Sequence, residues 1–201
     1  MKLIKGLIMT VGVIGILVAL ALVTGYYLYS LTPWMQAKMI PVVGSPDAAQ
    51  SFDQKLDSLE AQIKAAVAAG EKKQLILTVT EKEINSKLTQ VLAEGELPLR
   101  RETLINFGDG YFLIYTIVDT PGVNAKTGAI GRIEVIGGKP KIVIDEFNLG
   151  KLPLPKTVNL RVEQLLNLVV SLELADEPVE ITEVQIKNRQ LAVTLTTKVA
   201  K

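Results

Sequence analysis

Hydrophobic positions follow three different rhythms along the chain. Residues 6–31 show no alternation at all: nearly every position is apolar and none is charged. After Ser45-Pro46-Asp47, the apolar residues Phe52, Leu56, Leu59, Ile63, Ala66 and Val67 recur at spacings of three and four. That spacing, with Ser45 as cap, Pro46 in the first turn and Gly70 as the stop, predicts an amphipathic helix. Residues 74–80 are rich in β-branched side chains and read as a strand. Thr80-Glu81-Lys82-Glu83 then forms a capping box, opening a helix with Ile84, Leu88, Val91 and Leu92 on its apolar face.

The middle of the chain reads as paired strands. Residues 99–107 and 111–118 flank Gly108-Asp109-Gly110, and residues 129–136 and 141–147 flank Gly137-Gly138, two hairpin signals. Thr120-Pro121-Gly122 reads as a turn between the hairpins. Residues 111–118 are apolar at both odd and even positions, so both faces of that strand need cover from a helix, a second sheet or an apolar ligand. A third helix starts at Pro155. Val158, Val162, Leu165, Leu166, Val169 and Val170 form its apolar face, extended by Leu160 and Leu168, and Gln164, Asn167 and Ser171 form a narrow polar stripe. Such a helix is expected to be buried on most sides. Residues 179–186 and 191–199 close the chain as a hairpin across Asn188-Arg189. Strands outnumber crossover helices, so the expected class is α+β with a mainly antiparallel sheet packed on helices.

The uniform N-terminal stretch reads as a membrane helix. A helix over residues 6–31 is about 39 Å long at 1.5 Å per residue, against a hydrocarbon core of about 30 Å. Tyr26, Tyr27, Tyr29 and Trp34 cluster at its far end as a membrane-interface belt. Lys2 and Lys5 are the only charges before Lys38, which places the N-terminus in the cytoplasm and the rest outside, as a single-pass cell-membrane protein. Ala19-Leu20-Ala21 also has the form of a signal-peptidase site, so cleavage is the alternative to a retained signal anchor. The expected organisation is an anchor over 1–35, a short tether over 36–46 and an extracytoplasmic α+β domain over 47–201.

Composition narrows the chemistry. The chain of 201 residues has a mean hydropathy of +0.31, no His and no Cys. That excludes His-dependent triads, thiolate nucleophiles, disulfides and Cys- or His-based metal sites. With Lys+Arg 22 against Asp+Glu 21, no basic footprint for nucleic acid exists. The adjacent acids Asp145-Glu146 and Asp176-Glu177 lack a glycine-containing liganding loop and read as solvated charges. No catalytic residue, metal site or cofactor is expected, and the chain reads as a non-enzyme. Phe107, Tyr111 and Phe112 flank the Gly108–Gly110 turn, where they pack the sheet core or, if exposed, meet a bilayer.

Three stretches carry a family likeness. They are Leu77-Thr-Val-Thr-Glu-Lys-Glu-Ile-Asn-Ser-Lys-Leu88, then Gly137-Gly-Lys-Pro-Lys-Ile-Val-Ile144 through Leu152-Pro-Leu-Pro155 to Asn167, and Ile181 to Leu191. In order and spacing they resemble the bacterial LmeA-like and YpmS-like extracytoplasmic proteins. The resemblance implies phospholipid binding and a TULIP-like fold, a curved antiparallel sheet around a long helix. On that basis the expected function is binding of a membrane lipid, or a lipid-linked envelope precursor, in an apolar groove. The candidate lining is Ile84, Leu88, Phe112, Leu165, Leu166 and Val169. The alternative is a non-catalytic envelope assembly factor that docks another envelope protein and has a dry core.

Overall fold

The computed structural model describes residues 19–94, 102–120, 123–152, 154–173 and 178–198. Helix α1 covers residues 19–30, followed by a 3-10 turn at Trp34–Lys38. Then come α2 (Pro46–Ala68), β1 (Gln74–Thr80), α3 (Glu81–Glu94), β2 (Leu104–Phe107), β3 (Phe112–Thr120), β4 (Val123–Ile136), β5 (Lys139–Leu149), α4 (Lys156–Glu173), β6 (Val179–Lys187) and β7 (Gln190–Thr197). The first half of the expected membrane helix, residues 6–18, lies with residues 1–5 outside the described residues. Among those described, no helix is long and apolar enough to cross a membrane.

The class is α+β, and every strand pair is antiparallel. The strands form two sheets, one ordered β1-β7-β6 and the other β2-β3-β4-β5. Tight turns set their registers. Gly137 and Gly138 (φ 60° and 73°) turn β4 into β5, and Asn188 and Arg189 (φ 53° and 59°) turn β6 into β7. Positive φ at both central positions matches the right-handed twist of the flanking strands. Ser45 caps α2 as expected, its hydroxyl accepting from the Ala48 N–H.

Two segments differ from expectation. The polar run Asn124-Ala-Lys-Thr-Gly128, outside the strand expected over 129–136, is strand as well: β4 begins at Val123 and pairs with β3 out to Thr120. Burial of Ala125 and Thr127 accounts for strand in so polar a run. Residues 36–46, expected as a tether, are not slack either. Met35 is wholly buried and Met39 nearly so, both packed on Leu113, Tyr115 and Ile117 of β3. Beyond them the Ile40 N–H donates to Asn106 Oδ1 (2.8 Å), and Asn106 Nδ2 donates back to the Ile40 carbonyl (3.1 Å). The domain core therefore begins before residue 36.

That packing explains the two apolar faces of β3. Leu113, Tyr115 and Ile117 face Met35 and Met39. On the other face Phe112 and Ile114 join Phe107, Ile144 and Ile186, a cluster that ties the two sheets together and also takes in Ile84 of α3 and Val162 of α4. Protein covers both faces, and no ligand is needed there.

Both outer strands of the four-stranded sheet are completed by helix side chains. On β2, Asn85 of α3 accepts from the Ile105 N–H (2.8 Å) and donates to the Ile105 carbonyl (2.7 Å). On β5, Asn167 of α4 accepts from the Ile142 N–H (2.8 Å) and donates to the Ile142 carbonyl (2.7 Å). Glu163 accepts from the Ile144 N–H, and Asn159 donates to the Asp145 carbonyl. A carboxamide offers the same donor–acceptor pair as a neighbouring peptide, so each helix stands in for a missing strand.

Candidate functional site

The stretch around Thr80–Ser86 is a joint between β1, α3 and β2. Thr80 Oγ1 accepts from the Glu83 N–H (3.2 Å), while Glu83 Oε2 accepts from the Thr80 N–H (2.8 Å), closing the predicted capping box. Glu81 is 3% exposed. Its Oε1 accepts from the Phe107 N–H (2.6 Å), and its Oε2 faces Arg189 Nε (2.7 Å) across the chain. Ser86 Oγ accepts from the Ser45 N–H, which holds the start of α2. Thr80, Glu81, Glu83, Asn85 and Ser86 thus satisfy backbone or a structural charge, and the motif's work is to hold the fold together.

Glu83 also sets an acid limit. Burial raises its pKa, but the Lys55 ammonium, the Ser51 hydroxyl and the Thr80 N–H and hydroxyl outweigh burial and hold it at about 2. A carboxylate depressed in the folded state stabilises fully above its unfolded pKa, about 4.3. That stability disappears as pH falls through the folded value. Urea unfolding between pH 5 and pH 2 should lose about 2–3 kcal/mol to this group, and Glu83→Gln should flatten that part of the profile. Identical slopes for the two proteins would remove Glu83 from the account.

The six candidate lining residues are not brought together. Phe112 is buried in the cluster that joins the sheets, and Ile84 packs against it. Leu88 is half-buried on α3. Leu165 and Leu166 point away from the sheet, Leu165 being 65% exposed. Val169 lies in α4, and its side chain falls outside the described residues. The expectation that α4 is buried on most sides is corrected: its polar residues Asn159, Glu163 and Asn167 face β5, and leucines face outward. The edge of β5 offers unpaired peptide groups, and polar side chains outcompete leucine for that contact.

The aromatic residues divide in the same way. Tyr26 and Tyr27 are exposed on α1, and Tyr29 is half-buried. Trp34 donates its indole N–H to Glu146 Oε1 (2.8 Å), and the Lys38 ammonium lies 4.7 Å from the ring centre. Of the acid pairs, Asp145 is bound by Arg132, and Asp176-Glu177 lies outside the described residues. Phe107 and Phe112 are core, whereas Tyr111 is exposed and covers Gly108, where a Cβ would overlap its ring.

One apolar concavity escaped the sequence reading. A groove of about 580 Å³ runs along α2, lined by Leu56, Leu59, Ile63, Val67, Ala68 and Pro178, with Glu60 and Lys64 also along its length. The 3–4 periodicity of α2 was visible, but periodicity does not tell a covered face from an open one. A second cleft of about 570 Å³ lies between α2 and α3; its lining is also mainly apolar, with Pro46, Ala49 and Ala93 beside Gln50, Asp53, Thr89 and Gln90.

The joint with α1 is close. The Lys151 N–H donates to the Leu28 carbonyl (2.8 Å), and the Lys126 ammonium donates to Thr32 Oγ1 (3.1 Å). Gly150 has φ 59°, and a Cβ there would overlap the carbonyls of Leu28 and Tyr29. The loop between β5 and α4 therefore caps the C-terminal end of α1.

Comparison with protein-family models, with curated proteins and with solved structures finds no match.

Proposed function

We propose that this chain is a membrane-anchored extracytoplasmic protein that binds a lipid, or a lipid-linked envelope precursor, in the groove along α2. The observation that supports it is the groove itself: an open, branched-aliphatic trough on a helix whose other side is fixed to the fold. Each methylene moved from water into such a trough contributes about 0.8 kcal/mol, so an acyl chain binds without polar recognition. The reading is non-catalytic. It includes a membrane-spanning helix made of residues 1–18 together with α1, and an architecture of TULIP-like kind, supported by two antiparallel sheets sharing one core.

The test is photocrosslinking. The full chain is reconstituted in vesicles containing a phospholipid with a photoreactive acyl chain, and adducts are mapped by peptide mass spectrometry. Adducts on residues 56–67 are expected, and Ile63→Glu should remove them without a large change in thermal stability. Adducts confined to residues before 31 would overturn the groove and favour a domain that docks a protein instead.

A further inference from the structure

Helix α4 leaves much of its apolar surface outside: Val162 joins the core cluster, but the leucines do not follow it. Asn159, Glu163 and Asn167, spaced by four, share one face and complete the β5 edge. Leu160, Leu165 and Leu168 are left 56%, 65% and 57% exposed. A surface helix normally puts its apolar stripe inward, so leucines facing water need a partner of their own.

Three observations identify that partner. The first is continuity. The Lys151 N–H is held by the Leu28 carbonyl at the end of α1, and α4 begins five residues later, at Lys156. On its own surface α1 exposes Leu20, Leu22, Val23, Tyr26 and Tyr27, and this loop joins the end of α1 to the start of α4. The second is the sequence that leads into α1: residues 6–18 extend its apolar run without a charge. The third is charge. Lys151, Lys156 and Arg161 are exposed around the first half of α4, whereas Glu163 is turned toward β5. Leucines flanked by cations match a bilayer surface with anionic headgroups.

We infer that the outward leucine face of α4 lies against the lipids of the leaflet from which α1 emerges. This rests on the proposed membrane anchoring of α1 and adds a second contact to it. The domain then meets the bilayer through α4 as well as hanging from it, with its orientation set by two lines of contact.

The absence of cysteine from the chain makes the test direct. Single substitutions Leu165→Cys, Leu168→Cys, Tyr27→Cys and Lys187→Cys are made in the full chain and labelled with an environment-sensitive fluorophore. The proteins are reconstituted in phosphatidylglycerol–phosphatidylethanolamine vesicles with and without brominated acyl chains. Tyr27 reports the anchor, and Lys187, exposed beside the β6–β7 turn, reports water. Labels at 165 and 168 should be quenched by bromolipid at least about half as strongly as the label at 27, and the label at 187 not at all. Labels at 165 and 168 that match 187 while 27 is quenched overturn the α4 contact and leave the anchor standing. A label at 27 that is also unquenched overturns the anchor and, with it, the inference. A blue-shifted emission at 165 and 168 without quenching shows cover by protein, a second copy included, and overturns the lipid contact.

Discussion

Glu81→Ala is expected to destabilise the protein by about 2–4 kcal/mol in urea unfolding, with little change in the denaturant slope. The Glu81 carboxylate is nearly sealed from solvent and serves two partners from different parts of the chain. Alanine would strand the Phe107 N–H beside the core and leave the Arg189 guanidinium without its counter-charge. The larger part of the loss comes from the buried amide, which no water replaces without opening the joint between α3 and β2. Glu81→Gln keeps an acceptor for Phe107 and should cost less than half as much. If both variants unfold at wild-type urea concentration, the bridge from Glu81 to the two sheets contributes nothing to stability.

Met35→Glu should be harsher still, at about 4 kcal/mol or more, which for a domain of ordinary stability means no cooperative unfolding transition. Met35 has no exposed surface, and its sulfur lies against the place where a Cβ on Gly128 would be. A carboxylate there would be buried without a partner. Met35→Leu conserves volume and should cost less than about 1.5 kcal/mol. The contrast is read by thermal unfolding of the full chain. If the segment from Met35 to Met39 hung free of the domain, Met35→Glu would leave the melting temperature unchanged, and the docking of this segment would be refuted.

These two sites show what the sequence disclosed and what it withheld. Element type followed from spacing and punctuation: the capping box at Thr80–Glu83, the Gly137-Gly138 turn and the Ser45 cap each do locally what their residue types require. Such signals act within four residues, and one sequence is enough to read them. Errors arose where a distant partner decides the outcome. Asn124–Gly128 falls outside the expected strand until β3 is laid beside it. Met35 looks like the end of the anchor and Met39 like linker until the second face of β3 is seen to need cover. On α4 the sequence shows apolar and polar positions, but not that Asn159, Glu163 and Asn167 meet the sheet beside Val162 while the leucines stay outside. The unpaired edge of β5 decides that, and edges are a property of the assembled sheet. The candidate lining residues lie apart for the same reason, since Phe112 and Leu165 are equally apolar in the sequence and lie in opposite environments. The α2 groove follows the same logic, because Leu56, Leu59 and Ile63 are a helix face in the sequence and a trough only once Pro178 is placed beside them.

The close fit at Gly150 has a mechanical consequence. The cap on Leu28, the Lys126–Thr32 bond and the buried Met35 tie the end of α1 to the four-stranded sheet at three points. A joint of that kind transmits torque. If α1 turns about its axis, as it would on meeting another helix alongside it, the domain turns by the same angle and the α2 groove sweeps to a new bearing. Replacing Gly150 by a residue with a side chain would press on the Leu28 and Tyr29 carbonyls and loosen that coupling.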